Sequence, residues 1–349
     1  MRVVQAWLWT TPNPRLSRRL ISQVSFMLSA FLRGLALPRP DVFLIEAQPI
    51  FTSLAGVALA GLKRRPYVLN ISDLWPDHLL SVGLLSEQHI VYRVARRVVD
   101  ATYHHAGAIA AMSPQWARKI AGYLGSEDKI RVIYNGVDLE HFRPGLDTDA
   151  WRARHGLGDY QWIGFIGTFT TPYAFDLMLA AAERLQNRPE VRFLFIGGGT
   201  QEGLLREALA TGRYPNIVWL DWIPKEEVPL AWNAMRLCYW ALADHDLYRG
   251  TIPARLYEVT ACGVPIAAIV EGIAAEIIQA NDLGQALNYN DVDGLVNAIT
   301  RLLDDGAFHA HCSQAARRYA EAHYDYHQVV ERYEALLQQA APPPTETAR

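Results

Sequence analysis

Short apolar runs alternate along the chain with longer segments whose apolar positions recur every three or four residues, the pattern of buried parallel strands separated by helices. In the first part Asp41–Glu46 and Tyr67–Ile71 read as strands, with an apolar segment over Phe51–Leu62 between them. Ser86–His104 sets Ile90, Val91, Val94, Ala95, Val98 and Val99 at helical spacing, and Ala106–Met112 reads as the next strand. Ser113 then caps a helix opened by Pro114, and Lys129–Tyr134 gives another strand before the Asn135–Gly136 turn. The second part repeats the alternation, with strands at Trp162–Ile166, Val191–Ile196, Ile217–Leu220, Leu237–Trp240 and Pro265–Ile269. Helices are expected between them at Pro172–Leu185, Gln201–Ala210, Lys225–Ala234 and Pro253–Cys262, with helices alone from there to about Gln339.

This alternation predicts an α/β protein of two doubly wound parallel-sheet domains. The polar, Pro-containing stretch Arg143–Asp149 suits a linker, so the expected domains are 1–145 and 146–325. A terminal helix over 326–340 would pack back on the first domain, and 341–349 would be a disordered tail. Ligand loops in such domains gather at the carboxyl ends of the strands, which places the expected site in a cleft the two domains share.

A length of 349 residues, half of them hydrophobic and 20% charged, fits two ordered domains and excludes a disordered chain. The net charge of -3 offers no global attraction for nucleic acid, so no nucleic-acid partner is expected. Cys238, Cys262 and Cys312 are odd in number and far apart, which points to a reducing, cytoplasmic compartment. Neither Leu16–Leu37 nor Phe51–Leu62 meets the roughly 20 uninterrupted apolar residues of a membrane span. Two readings remain for them: amphipathic helices packed on a sheet, or a surface helix at the inner face of the membrane. In the second, Arg15, Arg18, Arg19, Lys63, Arg64 and Arg65 would meet lipid phosphates.

Candidate chemistry clusters in the second domain. Gly197-Gly198-Gly199 follows a strand and precedes a helix, as a tight turn or a close approach to an anion would require. Gly164 and Gly167 bracket the end of the preceding strand. In Leu247–Glu258, Gly250, Thr251 and Ile252 lead into a helix opened by Pro253, and Arg255 and Glu258 lie three apart on one face. Backbone N–H groups and the Arg255 guanidinium suit a diphosphate, and the Glu258 carboxylate suits two ribose hydroxyls. A plain Arg255–Glu258 surface salt bridge is the alternative. Asp244-His245-Asp246 has the D-x-D spacing of a metal motif, but it falls in a loop after the strand ending near Trp240, and no metal is expected. Trp219 and Trp222 read as core residues or as a sugar platform.

Several of these stretches together resemble a known family. Asp73-Leu-Trp-Pro76, Asn135-Gly-Val-Asp138, Gly167, the triple glycine, Arg249-Gly-Thr-Ile-Pro-Ala-Arg255 with Tyr257-Glu258, and Ala261-Cys-Gly-Val-Pro265 are similar to the pattern of family 4 glycosyltransferases of the GT-B fold. The subgroup they resemble builds cell-surface polysaccharides. The resemblance implies an enzyme that moves a sugar from a nucleoside diphosphate, UDP or GDP, to a lipid-linked or saccharide acceptor. It also implies retention of anomeric configuration without a bound metal or other cofactor. It makes Glu258 the ribose ligand and Arg255 the diphosphate ligand, with Gly167, Thr168, Gly197, Gly198, Gly199, Arg249, Gly250, Thr251 and Ile252 around the donor. Asp73 would face the cleft from the acceptor domain.

Three departures from the family pattern accompany this. Gly250 stands where the pattern has its first Glu, Thr168–Phe175 carries no basic residue, and the first domain is expected to lack its opening strand and Gly-rich loop. A catalytically silent partner subunit of the same fold is the main alternative. A nucleotide-sugar epimerase, which would need carboxylates placed for proton abstraction, is a further one.

Overall fold

The computed structural model describes residues 2–10, 16–77, 80, 86–246 and 248–342. Arg15, Leu247 and the expected tail from Pro343 onward lie outside the described residues. The chain forms two compact units, one of Met1–Tyr134 with Val330–Arg349 and one of Asn135–Val329, so the stretch 143–149 belongs to the second.

The first unit opens with helix α1 (Leu16–Leu35), followed by β1 (Phe43–Glu46), α2 (Ile50–Leu62), β2 (Tyr67–Ile71), α3 (Ile90–His105), β3 (Ala108–Ala111), α4 (Pro114–Leu124) and β4 (Ile130–Val132). Its sheet is parallel with the strands side by side in chain order. Val68, Leu69, Ile71, Ile109, Ala110 and Ala111 are fully buried in it, as the near-continuous apolar runs require of strands covered on both faces. Ser113 caps α4 by accepting from Trp116 N at 3.1 Å, and Gly125 ends that helix in the left-handed region. Ahead of α3, Asp77 is buried where its two oxygens accept from the hydroxyls of Tyr92 at 2.6 Å and Tyr123 at 2.8 Å, with Arg96 at 3.6 Å. Arg96 itself pairs with Asp100 and stacks on Tyr123, so one buried carboxylate ties α3 to α4.

The second unit runs α5 (Asp149–Arg154), β5 (Gln161–Ile166), α6 (Phe175–Arg184), β6 (Val191–Ile196), α7 (Glu202–Ala210) and β7 (Ile217–Leu220). It continues with a 3₁₀ turn at Lys225–Glu227, α8 (Val228–Asn233), β8 (Leu237–Ala241), α9 (Ala254–Ala261), β9 (Ile266–Ile269), α10 (Ile273–Ala280), β10 (Gly284–Leu287), α11 (Val292–Asp304) and α12 (Gly306–His323). Its six strands are parallel in the order β10-β9-β8-β5-β6-β7. The chain therefore winds outward from β5 to β7, returns across the sheet, and winds the other way from β8 to β10. That is the dinucleotide-fold order, and its switch point lies between β5 and β8. Strand β10 was not expected from the sequence. Its residues Gly-Gln-Ala-Leu include one apolar side chain of any size, because an edge strand buries only part of its surface and carries a weak pattern.

The last helix, α13 (Tyr326–Ala340), contributes its residues from Val330 to the first unit, where the Tyr333 hydroxyl donates to Asn70 Oδ1 at 2.7 Å. Among the described residues no helix is long and apolar enough to cross a membrane.

Candidate functional site

The switch point of the second sheet is where a parallel α/β unit leaves its strand ends open, because the loops on either side of it leave toward opposite faces. Here it opens onto a cavity of about 380 Å³. Ile166, Gly167 and Thr168 at the end of β5, Ile196 at the end of β6, Trp222, Ile223 and Lys225 after β7, and Ala254, Arg255 and Glu258 of α9 line it, together with Tyr173 and Val228. The loops after β5 and β8 are joined by an antiparallel bridge between Tyr173 and Leu242 and by Ala243 N donating to Pro172 O at 2.8 Å. This fixes the near wall.

Arg255 is the unusual residue of the cavity. It is 5% exposed, and its guanidinium carbon lies 3.6 Å from the ring centroid of Phe165 and 4.5 Å from that of Tyr173. Its Nε and Nη1 atoms are buried without a hydrogen-bond partner. Stacking on two aromatic faces offsets part of the desolvation of a cation, about 2 kcal/mol per favourable contact, but it satisfies no N–H group. An Arg in this state is complementary to an anion that brings acceptor oxygens. Gly167 makes room for it: its φ is 146°, a backbone region that disfavours side chains, and a Cβ there would lie 2.8 Å from Arg255 Nη2.

Glu258, one turn further along α9, does not pair with Arg255; among the described residues no ion pair joins the two. Its Oε2 accepts instead from the indole N–H of the fully buried Trp232 at 3.1 Å. Burial raises its pKa above the ordinary carboxylate value, against the opposing effects of the Trp232 hydrogen bond, Arg255 and Lys225. The alternative reading of the sequence, a plain Arg255–Glu258 salt bridge, is therefore not what this helix face forms.

The triple glycine forms the support behind the cavity and is absent from its lining. Gly197 has φ 126°, and a Cβ on it would sit 2.1 Å from Gly167 O. Phe169 N donates to Gly198 O at 2.9 Å, Gln201 N donates to Phe169 O at 2.9 Å, and Gly199 N donates to the Glu202 carboxylate at 2.8 Å. The loops after β5 and β6 thus lie backbone to backbone, which a side chain at Gly197 would prevent. Trp219 donates its indole N–H to Gly197 O at 2.9 Å and packs on Phe169, whereas Trp222 is 56% exposed at the cavity.

Arg249, Gly250, Thr251 and Ile252 lie outside the cavity lining, in the turn before α9. Arg249 is 3.1 Å from Glu271, 3.5 Å from Asp246 and 3.8 Å from Asp244. Its guanidinium carbon also lies 5.9 Å from the ring centroid of Tyr289. The two aspartates of the D-x-D spacing are thus turned toward an arginine, and no group of three metal-ligating side chains occurs among the described residues. Asp73 belongs to the first unit, where its Oδ1 accepts from Leu74 N at 2.8 Å.

Tyr173 and Lys225 of the cavity lining, and Phe165 and Trp232 buried behind it, were not singled out from the sequence. The run Phe165–Tyr173 does place aromatic residues on both sides of Gly167, but which of them meets Arg255 depends on a β5–α9 approach that no local pattern encodes. Lys225 adds a second cation at the cavity, from a different loop than the one after Gly167.

Comparison with known proteins agrees with this architecture. Residues 147–319 match the family model for glycosyl transferases group 1, and residues 1–136 match that for a glycosyl transferase 4-like domain. Over 278 residues the chain is 28% identical to the GDP-mannose-dependent alpha-(1-6)-phosphatidylinositol monomannoside mannosyltransferase of Mycolicibacterium smegmatis, covering 77% of this chain and 70% of that protein. Over 195 residues it is 29% identical to a D-inositol 3-phosphate glycosyltransferase of Mycobacterium tuberculosis, covering 54% of this chain but only 39% of the relative's length. Among solved structures, sucrose-phosphate synthase from Thermosynechococcus elongatus superposes with a TM-score of 0.75 at 19% identity, covering 95% of this chain and 82% of that one. Anabaena HepE in complex with UDP does so with a TM-score of 0.72 at 18% identity, covering 91% and 84%. At these identities the structural likeness establishes the fold, two parallel-sheet units of GT-B type.

Proposed function

The chain belongs to the family 4 type of glycosyltransferases, and on that premise we propose that its second unit binds a nucleoside-diphosphate sugar in the cavity at the β5–β8 switch point. The observation that carries this reading is the buried Arg255 with two unpartnered nitrogens. A diphosphate would supply the missing acceptors, and the same guanidinium would stabilise the charge that grows on the departing nucleoside diphosphate as the sugar leaves. A fixed, buried cation needs no reorganisation to do this.

The other residues take roles from their places. The Glu258 carboxylate, oriented by Trp232, accepts hydrogen bonds from the ribose hydroxyls. Trp222 offers an exposed aromatic face to the base, and Lys225 offers a second cation in place of the basic residue absent after Gly167. Gly167 and Thr168 border the donor at the end of β5, and Gly197, Gly198 and Gly199 keep that loop in place from behind. The turn of Arg249, Gly250, Thr251 and Ile252 is assigned to the sugar end of the donor, with Arg249 held by Asp244, Asp246 and Glu271.

In this reading the first unit takes the acceptor, a saccharide or a lipid-linked molecule in cell-surface glycan synthesis, and Asp73 is assigned to that side. The configuration of the transferred sugar is retained, the donor nucleotide is UDP or GDP, and the reaction takes place at the cytoplasmic side. The GDP-mannose dependence in the name of the mycobacterial relative favours testing GDP first.

Calorimetric titration of the full chain with UDP, GDP and ADP, in the presence of EDTA, tests the donor site. Saturable binding of UDP or GDP is expected. Absence of binding by all three would refute the assignment and return the protein to the silent-partner reading.

A further inference from the structure

The loops that follow β8, β9 and β10 converge on one side chain. Arg249, in the turn that leads into α9, reaches Asp244 and Asp246 after β8 and Glu271 after β9, and its guanidinium faces the ring of Tyr289 after β10. The backbone joins two of these loops as well. Gly272 has φ 75°, and a Cβ on it would lie 2.2 Å from Arg249 O, so the loop after β9 passes against the turn before α9 in a contact that glycine permits. Ala254, which borders the donor cavity, follows in the same stretch of chain.

The three carboxylates around Arg249 are not equivalent. The side chains of Asp244 and Asp246 are 63% and 92% exposed and stand 3.8 and 3.5 Å from Arg249, where solvent screens the pair. That of Glu271 is 30% exposed at 3.1 Å. Its position in the chain is fixed on both sides, by Val270 N donating to Leu287 O at 3.0 Å and by the seat of Gly272 on Arg249. The carboxylate is therefore oriented, and the contact with one guanidinium uses only part of its roughly four acceptor sites.

Sugar recognition calls for such a group. Each hydroxyl of a sugar ring has a hydrogen to donate, and a fixed carboxylate can accept from two neighbouring hydroxyls at once. Gly250, in the turn assigned to the sugar end of the donor, has no side chain for this, and Glu271 supplies a carboxylate there from the adjacent strand end. The charge of the surroundings acts in the same sense. With three carboxylates about one guanidinium, a sugar that carries its own carboxylate meets like charge, whereas an uncharged sugar meets acceptors for its hydroxyls.

We propose that Glu271, positioned by Arg249, determines specificity for the donor sugar: its carboxylate accepts hydrogen bonds from the ring hydroxyls of an uncharged sugar and excludes uronic acids. This rests on the reading of the switch-point cavity as the donor site, and adds to it the class of sugar.

The test is calorimetric titration of the full chain, Glu271→Gln and Glu271→Asp with UDP, UDP-glucose and UDP-glucuronic acid, and with GDP, GDP-mannose and GDP-mannuronic acid. For the nucleotide that binds, the uronate donor should bind about tenfold more weakly than its uncharged counterpart. Glu271→Gln should weaken the uncharged donor by about tenfold or more, narrow its gap to the uronate, and leave the affinity for the bare nucleotide as it was. Glu271→Asp draws the charge back by one methylene, so it should weaken the uncharged donor and still disfavour the uronate. Equal binding of uronate and uncharged donors overturns the proposal. So does a Glu271→Gln chain that loses affinity for bare nucleotide and sugar donor alike, which would make Glu271 a structural residue, or one that loses affinity for neither. Absence of binding by both bare nucleotides overturns the donor site and this assignment with it, whereas nucleotide binding with sugar-donor affinities indifferent to Glu271 overturns this assignment alone.

Discussion

Replacing Arg255 with Met separates a ligand-binding arginine from a structural one, because the two roles give opposite signs. Without nucleotide, the two buried N–H-bearing nitrogens without partners cost about 2–6 kcal/mol together. The stacking on Phe165 and Tyr173 returns about 2–4 kcal/mol. Met fills a similar volume and keeps contact with both rings, so the nucleotide-free variant should be as stable as the parent or up to about 2 kcal/mol more so. At roughly 2–4 °C per kcal/mol for a unit of this size, its melting temperature should stay level or rise by up to about 8 °C. Nucleotide binding should move the other way. Loss of a charge-assisted contact to the diphosphate costs about 1.5–3 kcal/mol, which weakens binding about 10- to 150-fold. Scanning calorimetry without ligand and isothermal titration with UDP and GDP read the two effects on one preparation. A variant that melts several degrees lower while binding nucleotide as tightly as the parent would refute the reasoning and make Arg255 a core cation. Arg255→Lys keeps the charge but lacks the planar stack, and should fall between the two in affinity.

Three further outcomes follow from the geometry. Glu258, with its pKa raised by burial, binds a proton more tightly folded than unfolded, so its ionisation costs stability as pH rises from its ordinary 4.5 toward the folded value; Glu258→Gln should flatten that part of a denaturation-against-pH curve and weaken nucleotide binding by about 1.5–3 kcal/mol at neutral pH. Trp222→Ala should weaken nucleotide binding by about 1–3 kcal/mol through lost base stacking, with the melting temperature unchanged because the side chain is mostly exposed; equal affinity would remove Trp222 from the site. Asp77→Ala leaves the hydroxyls of Tyr92 and Tyr123 and the Arg96 guanidinium without their shared acceptor, and urea titration should find the first unit less stable by about 3–5 kcal/mol.

The strands of both sheets were legible in the sequence wherever they are buried on both faces, as at Val191–Ile196, since continuous apolar runs are what such burial selects. The edge strand Gly284–Leu287 was not, because half of its surface is free to be polar. The stretch Gly250–Glu258 could be singled out from spacing alone, since i and i+3 positions share a helix face. The partners of those residues could not. Trp232 reaches Glu258 from 26 positions away, and Phe165 reaches Arg255 of α9 from strand β5, so both contacts exist only once the sheet has formed. The Arg255–Glu258 spacing equally permitted a salt bridge, and it was the competition from Trp232 and the two aromatic rings that decided against it.

The first unit is assembled from segments that leave the ribosome far apart in time, since its sheet is complete by Val132 while its last helix begins to contribute only at Val330. The second unit is one uninterrupted stretch and can close as soon as it has emerged. During synthesis the earlier-made sheet must therefore wait, with Asn70 unbonded to Tyr333, until the later-made one has already been translated. The unit that begins first is thus completed last, and slowing translation ahead of Val330 would lengthen the interval in which it lacks its final helix while leaving the second untouched.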